Sequence, residues 1–339
     1  MARIKEEAYA YATARIRVRE SKLLPLSRLE RLFDTANSAD AIKILTEAGY
    51  SGQNQNSGKE GTFDVEKLLS TELKKAYDFI EEIIPDPLVI NIFKKKYDYL
   101  NAKLILKAEY LKINVKEALS ELGTIEPVKL LNMMAARKFE GVSEIFGQAV
   151  KAAEEAFNKT GDPQLIDFIL DNASYAEMLA DAEKIEDPAL VKLMNMLIDT
   201  ANIRIFVRSK LLKKPEDFIR KAWIKNGNFK EEIFEEMVNA GLDKLFPVLK
   251  DIGYEKLAVE LKKAVDNENG ISGIEKILDD FIMLYLLKES KYVVAGVMPV
   301  IGYLFFKETE IKNARLIITG LNNKVSRETI KERLRLGYA

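Results

Sequence analysis

Hydrophobic residues recur along almost the whole chain at intervals of three or four positions, the spacing of an amphipathic helix. One clear apolar face follows this spacing at Leu68, Leu69, Leu73, Ala76, Phe79, Ile80 and Ile83. No two segments alternate polar and apolar residues as a pair of half-buried strands would. The pattern therefore predicts an all-α protein.

Proline and glycine mark the predicted helix boundaries. Asp86-Pro87 and Asp187-Pro188 predict helix starts, because aspartate caps a first turn and proline fits within it. Helix ends are predicted at Gly49, Gly123 and Gly253. The segment 49–61 is rich in Gly, Ser, Asn and Gln, which predicts an exposed loop.

One pattern occurs three times: a proline lies 14 residues before an asparagine, with an acid three residues before that asparagine and a base two residues after it. The prolines are Pro87, Pro188 and Pro299, and the asparagines are Asn101, Asn202 and Asn313. The acids are Asp98, Asp199 and Glu310, and the bases are Lys103, Arg204 and Arg315. We therefore predict three divergent helical repeats, at 1–112, 113–213 and 214–339, with approximate boundaries.

Partial copies of the same unit occur elsewhere. Thr13-Ala14-Arg15 matches the asparagine-to-base segment, and Arg19, Lys107 and Arg208 share the next helical turn. The segment 45–50 (Leu-Thr-Glu-Ala-Gly-Tyr) resembles 249–254 (Leu-Lys-Asp-Ile-Gly-Tyr). Three units and a partial one fit a closed arrangement in which the N-terminal helix completes the C-terminal unit. An open solenoid has the same signature, so both arrangements stay open.

Charge and residue usage narrow the function classes. The 52 Lys and Arg balance 53 Asp and Glu, which argues against nucleic-acid binding. The chain has no cysteine and no histidine, so it lacks thiolate nucleophiles, the commonest general base and the commonest metal ligands. We assign no catalytic residue, no cofactor site and no metal site.

The longest uncharged run, Tyr292 to Phe306, is 15 residues long and contains Gly296, Pro299 and Gly302. Spanning a bilayer takes about 20 predominantly apolar residues. We therefore predict a buried helix, or two helical pieces around a break. The short apolar stretch from Ala8 to Ala14 does not resemble a secretory signal. A soluble or peripherally attached chain is expected.

The glycine-rich segment 52–59 resembles a nucleotide-binding loop only superficially. A P-loop has four residues between its glycines and Ser or Thr directly after its lysine. Here five residues separate Gly52 from Gly58, and Glu60 follows Lys59. We predict no ATP binding at this loop.

The repeated acid and asparagine lie three residues apart, so Asp98 and Asn101 share a helix face. The base lies five residues beyond the acid, about 140° round the helix from it. At that position it can meet another helix or a partner. The simplest interpretation is a polar cluster that fixes packing within each unit, because a catalytic site rarely occurs in triplicate.

The segment Tyr11 to Arg19 (Tyr-Ala-Thr-Ala-Arg-Ile-Arg-Val-Arg), followed by Leu23-Leu24, resembles the opening of the C subunit of V/A-type ATPases. It is also similar to the family of eukaryotic V-ATPase d subunits. Segments 99–103 (Tyr-Leu-Asn-Ala-Lys) and 202–204 (Asn-Ile-Arg) fall where that family repeats its pattern. The resemblance covers essentially the whole chain.

The resemblance implies a three-domain, pseudo-threefold helical funnel on the cytoplasmic face of the membrane. Such a protein receives the central-stalk axle, sits on the membrane rotor ring and transmits torque without a catalytic site. It is attached to the membrane only through the ring. We assign partner binding to the repeated bases Arg15, Arg19, Lys103, Lys107, Arg204, Arg208 and Arg315, with a purely intradomain role as the alternative.

Two rival functions stay open. One is a helical-repeat scaffold that binds a protein or peptide on its concave face. The other is an enzyme that uses Asp, Glu, Lys or Tyr in one concave pocket with convergent, perturbed ionisable groups. A closed threefold geometry favours the connector, and an extended superhelix favours the scaffold.

Overall fold

The computed structural model describes residues 6–35, 38–50, 65–267 and 270–338, except for the side chains of Leu26 and Ser38. Throughout these ranges the regular structure is helical and no β-strand occurs, which confirms the predicted all-α class. The glycine-rich segment 52–59, tested above as a nucleotide loop, lies outside the described residues.

The described ranges contain sixteen α-helices and two short 3-10 helices, Glu6–Tyr9 and Lys116–Ala118. The α-helices are α1 (Ala10–Glu20), α2 (Leu26–Phe33), α3 (Ser38–Glu47), α4 (Val65–Ile83), α5 (Pro87–Leu111), α6 (Pro127–Ala136), α7 (Glu144–Thr160), α8 (Gln164–Ile185), α9 (Pro188–Leu211), α10 (Glu216–Ala222), α11 (Glu231–Ala240), α12 (Leu242–Asp251), α13 (Glu255–Asp266), α14 (Gly270–Ser290), α15 (Val297–Asn322) and α16 (Arg327–Arg333). The three repeated motifs lie on the three long helices α5, α9 and α15.

Both predicted aspartate–proline helix starts are confirmed. The Asp86 carboxylate accepts the Leu88 N–H at 2.9 Å, and Asp187 caps α9 in the same way. In each case the next residue is the proline that opens the helix. Aspartate supplies the acceptor that a first turn lacks, and proline has no N–H to leave unpaired.

The predicted helix ends are confirmed at two of three glycines. Gly49 and Gly253 have φ of +99° and +85° just beyond α3 and α12, a conformation that favours glycine. The prediction for Gly123 is wrong, because Gly123 lies in the loop between the second 3-10 helix and α6. Its role there is to leave room for a carboxylate, as described below.

The first of two compact units comprises residues 86–262. Within it α5 packs against α6, α7 and α8, and α8 also contacts α9 and α10. One core of this unit is aliphatic and aromatic, with Tyr99, Leu106, Leu130, Phe146, Val150 and Leu170 among its buried members. Burial of these apolar side chains is the main stabilising contribution to such a unit.

The second unit comprises the described residues of 2–85 and 263–339. Here α15 is the central helix and packs against α1, α2, α3, α4, α14 and α16. The predicted apolar face of α4 is buried in this unit, at Leu68, Leu69, Ala76, Phe79, Ile80 and Ile83. Residues from near the two ends of the chain thus form one core.

The apolar run Tyr292–Phe306 is part loop and part helix, since α14 ends at Ser290 and α15 begins at Val297. This agrees with the predicted break. Pro299 fits because it occupies the first turn of α15. Among the helices of the described ranges, none has the length and apolar character required to cross a membrane.

Candidate functional site

The three repeated asparagines make the same contact. Each carboxamide donates its N–H to a backbone carbonyl and accepts the backbone N–H of that same residue, at 2.8–3.0 Å. The pairs are Asn101 with Ser120, Asn202 with Ile224, and Asn313 with Arg335. A carboxamide offers both a donor and an acceptor in this geometry, whereas an ionised carboxylate offers acceptors alone. The motif therefore clamps the segment that follows each long helix.

Two of the three repeated acids, Asp98 and Asp199, fasten the same segments a few residues further on. Asp98 accepts the N–H and hydroxyl of Thr124 and the N–H of Ile125. Asp199 accepts the N–H and side-chain amide of Asn228 at 2.8 and 2.7 Å, and the Tyr254 hydroxyl at 2.7 Å. The prediction that the cluster fixes packing within a unit agrees with these contacts. The acid and asparagine bind neighbouring parts of the chain rather than each other.

The third acid, Glu310, is completed by the N-terminal part of the chain. It accepts the Leu24 N–H at 2.5 Å and the Tyr50 hydroxyl at 2.5 Å. Tyr50 and Tyr254 end the two similar hexapeptides found in the sequence, and each donates to a repeated acid. The weak sequence match thus marks an equivalent contact.

Burial dominates the electrostatics of these groups. Desolvation raises the pKa of Asp98 and Asp199 above the usual aspartate value, although their hydrogen bonds oppose the shift. Desolvation and the neighbouring Glu310 raise the pKa of the Tyr50 hydroxyl well above its ordinary value. The two aspartates are held by neutral donors, which indicates a structural role.

Two glycines make room for the repeated aspartates. A Cβ built on Gly227 would lie 2.5 Å from the Asp199 Oδ1 atom and 2.9 Å from the Ile198 Cγ2 atom. A Cβ on Gly123 would collide in the same way with Asp98 Oδ1. Each glycine directly precedes a residue whose N–H the aspartate accepts. This close approach explains why glycine stands at both positions.

We expect Gly227→Ala to lower the free energy of unfolding by about 1–3 kcal/mol. The added methyl group would push the Asp199 carboxylate away from the Asn228 N–H. Urea unfolding followed by Trp223 fluorescence measures the change, since Trp223 is the single tryptophan and lies close to the clamp. Gly337→Ala is the control, because a Cβ there meets nothing within 4 Å. Equal effects of the two substitutions would contradict the proposed close approach.

Ion pairs join two long helices to neighbouring helices in the same register. On α5, Lys103 pairs with Asp171 of α8 and Lys95 pairs with Glu177 of α8. On α15, the equivalent bases Arg315 and Lys307 pair with Glu66 and Glu72 of α4 at 3.0 Å. The paired acids are six residues apart both in α8 and in α4. The α5–α8 and α15–α4 contacts therefore share one arrangement of ion pairs.

Lys95 and Lys307, which the sequence analysis missed, lie three residues before the repeated acid. Burial disfavours the charged form of each lysine, but neighbouring carboxylates outweigh burial and raise its pKa. The second copy has the buried Met196 at this position, so the pattern of charge is incomplete. Because lysine occurs at this position in two of the three copies, a comparison that requires similar residues in all three does not detect it.

The predicted partner-binding bases fall into two groups. Lys103, Lys107 and Arg315 form ion pairs with acids of a neighbouring helix, which favours an intradomain role for them. Arg204, of α9, is half-buried.

The other three predicted bases, Arg15, Arg19 and Arg208, form no ion pair shorter than 3.8 Å with the residues that the structure describes. Arg19 and Arg208 are exposed. Arg15 reaches Glu82 only at 3.8 Å, between two solvent-accessible side chains. An exposed pair of this kind contributes little to stability.

A cavity of about 410 Å³ lies between α5, α6, α7 and α8. Its ionisable lining includes Lys95, Asp98, Tyr99 and Glu177. These groups hydrogen-bond within the chain, since Glu177 accepts from both Lys95 and Tyr99. Tyr99 is further deactivated because burial and Glu177 raise its pKa. The cavity thus offers paired groups rather than an activated nucleophile or base.

Fold and geometry together define a class of protein: an all-helical chain in which one polar motif occurs three times and fastens long helices to the segments that follow them. The model of the ATP synthase (C/AC39) subunit family matches residues 12–333. The chain belongs to this family.

Curated relatives agree with this assignment over nearly the whole chain. The C subunit of the A-type ATP synthase of Methanocaldococcus jannaschii is 25% identical, with 96% of this chain and 86% of the relative covered. The C subunit of the V-type sodium ATPase of Enterococcus hirae is 24% identical, with 95% and 97% covered. The C subunit of the A-type ATP synthase of Pyrococcus abyssi is 24% identical, with 97% and 90% covered. The predicted family resemblance is confirmed, and with it the prediction of a non-catalytic component of a rotary ATPase.

Proposed function

We propose that this chain is the central-stalk connector of its rotary ATPase, joining the axle to the membrane rotor ring on the cytoplasmic face. In this role it transmits torque between ATP chemistry and proton or sodium transport. Its three divergent repeats, at 1–112, 113–213 and 214–339, form a pseudo-threefold funnel. Attachment to the membrane is through the ring.

The threefold occurrence of the asparagine clamp carries the proposal. Asn101, Asn202 and Asn313 each bind both backbone groups of one residue, which supports a division into three units built on one plan. A body that accepts a single rotating axle is well served by units that surround it equivalently. No comparable requirement for three equal units applies to a catalytic pocket.

Stiffness is the second requirement of a torque connector. Densely packed helices resist deformation, and directional hydrogen bonds oppose sliding of one helix along another. The paired lysines Lys95 and Lys307 link α5 to α8 and α15 to α4 beyond what apolar packing provides. Twisting forces are thereby spread over several helices of each unit.

Specific but reversible docking requires charged groups that solvent and a partner can reach. Arg15, Arg19 and Arg208 meet this requirement best, because within the described ranges no close ion pair occupies them. Their guanidinium groups can bind carboxylates in a bidentate manner. The ion-paired Lys103, Lys107 and Arg315, and the half-buried Arg204, are secondary contributors in this proposal. Electrostatic complementarity of this kind speeds association and sets specificity.

The test is a binding experiment with the full-length chain, purified central-stalk axle proteins and the detergent-solubilised rotor ring, separately and together. We expect the chain to bind each partner and to hold both in one complex. Binding of neither partner by the folded chain would reject the connector and favour the helical scaffold. Binding of only one partner would reject the bridging role.

A further inference from the structure

Helix α1 leaves a narrow apolar stripe open to solvent. Tyr11 and Val18 are each 61% exposed, and the exposed Ala14 lies between them. Positions separated by three and then four residues lie on one face of a helix. The opposite face of α1 is buried through Ala12 and Ile16. The stripe is therefore about one side chain wide.

The loop after α14 places two further exposed apolar residues close to α1. Tyr292 is 83% exposed and Val294 is 87% exposed, the two highest values among the large hydrophobic residues of the described ranges. Arg17 of α1 fastens the loop by donating to the carbonyls of Ser290 at 2.5 Å and Val293 at 3.0 Å. The loop is thus held beside the Val18 end of α1.

The Arg17 side chain that holds the loop is itself held by hydrogen bonds. Its guanidinium donates to both carboxylate oxygens of the buried Glu20, at 3.0 and 2.7 Å. The Tyr338 hydroxyl donates to the same carboxylate at 3.1 Å. A side chain that is ordered before binding loses less entropy when a partner docks.

Two arginines border the stripe and give it a positive charge. The Arg19 guanidinium lies 4.5 Å from the centre of the Phe79 ring, and no carboxylate of the described ranges lies within ion-pair distance of it. The Arg15 guanidinium also lies over Phe79, at 5.4 Å, and its carboxylate contact within these ranges is the long one to Glu82. Both guanidinium groups therefore rest on the Phe79 ring, and Arg15 also donates to the Tyr11 hydroxyl at 2.5 Å.

We infer that this surface binds an acidic amphipathic helix of the central-stalk axle. The apolar residues of that helix would cover the stripe, and its flanking carboxylates would pair with Arg15 and Arg19. The inference rests on the proposed connector function and names the surface and the chemistry of its partner. The α1 surface comprises Tyr11, Ala14, Arg15, Val18, Arg19, Tyr292 and Val294.

The width of the stripe favours a helix over a lipid bilayer. A membrane-surface helix buries a broad apolar face into the headgroup boundary. The broad apolar face of α1 is already buried in the protein, through residues such as Ile16. What remains matches the single row of side chains that one helix presents to another.

The experiment measures the dissociation constant between the full-length chain and purified axle proteins. We expect Val18→Asp and Arg19→Glu each to weaken binding by about tenfold or more, the effect of a central interface residue. The control is Val259→Asp on α13, which also places a carboxylate at an exposed valine and should leave binding unchanged. Circular dichroism of every variant confirms that the helices are intact.

The outcomes separate the two hypotheses. If the wild-type chain binds the axle and both α1 variants bind equally well, the surface is wrong and the connector role stands. If the wild-type chain does not bind the axle, the connector role and the surface assignment both fail. Vesicles with and without anionic lipid form a second arm. If the wild-type chain binds vesicles, and Val18→Asp abolishes that binding but leaves binding to the axle unchanged, the α1 surface binds a membrane and the inferred helix partner is wrong.

Discussion

Replacing Lys307 by methionine is expected to lower the free energy of unfolding of the unit built from residues 2–85 and 263–339 by about 3–5 kcal/mol. The Lys307 side chain is only 7% exposed, and its ammonium lies 2.6 Å from Glu310 and 3.0 Å from Glu72. The ammonium also lies over the Tyr50 ring at 4.5 Å. Removing this cation leaves two carboxylates with little access to water. Glu310 then loses its ion pair within the described ranges, and Glu72 keeps the longer contact with Lys75, at 3.6 Å.

Methionine is a suitable replacement because its shape is similar and because Met196 occupies the equivalent position of α9. A shape-conserving substitution limits the loss of packing, so the measured change reports the missing charge. Far-UV circular dichroism during urea unfolding follows the whole chain. Trp223 fluorescence reports the other unit, residues 86–262, as an internal reference.

Lys312→Met is the matched control for this prediction. Lys312 also pairs with an acid, Asp279, but its side chain is 49% exposed. An exposed pair contributes about 0–1 kcal/mol, so the control should unfold almost like the wild type. A Lys307→Met change no larger than that of the control would show that water reaches the cluster.

The pKa of Lys307 gives this prediction a pH dependence. Burial lowers the pKa, but Glu310 and Glu72 outweigh burial and raise it above the ordinary lysine value of 10.5. A raised pKa in the folded state means that the stabilisation is fully present below pH about 10.5 and is lost as the pH rises through the folded-state pKa. The difference between wild type and variant should thus stay constant from pH 7 to about 9.

The internal repeat shows how much of this architecture follows from sequence. The spacing of Asp98, Asn101 and their counterparts predicts equivalent positions on three helices, and the structure gives the three asparagines identical contacts. Local periodicity suffices here because acid, asparagine and helix lie within a few residues of one another. Helix caps at Asp86 and Asp187 are predictable for the same reason.

Contacts that are distant along the chain were not predictable in the same way. Nothing near Glu310 in the sequence indicates that Leu24 and Tyr50 are its donors. The partial N-terminal copy shows the opposite case, a sequence match without an equivalent contact. Thr13 aligns with the clamping asparagines, yet its buried hydroxyl has no hydrogen-bond partner in the described part of the chain. Equivalence along the sequence thus identified positions, and tertiary packing decided their partners.

Replacing Asn202 by aspartate is expected to lower the free energy of unfolding by about 3–5 kcal/mol at pH 7, because it places an unpaired charge in a fully buried site. Asn202 donates to the Ile224 carbonyl at 2.8 Å and accepts the Ile224 N–H at 2.9 Å. An ionised carboxylate keeps the second hydrogen bond. It replaces the first with repulsion between two oxygens.

Protonation should largely repair this variant, because a neutral carboxylic acid has one O–H donor and one carbonyl acceptor, as the carboxamide has. Burial without a cation raises the pKa of the introduced aspartate in the folded state. The folded state therefore binds a proton more tightly than the unfolded state does. The deficit relative to wild type should be smallest below the unfolded pKa of about 3.9 and should grow as the pH rises through the folded-state pKa.

Trp223 precedes the clamped Ile224 in sequence, so its fluorescence reports unfolding at the clamp directly. Urea titrations of wild type and Asn202→Asp at pH 4 and pH 7 measure the change in the deficit. The control is Asn158→Asp on α7, an asparagine at the surface of the same unit whose replacement should change stability little at either pH. A deficit for Asn202→Asp that is equal at the two pH values would mean that the carboxylate escapes to water, and that the clamp yields instead of holding the charge.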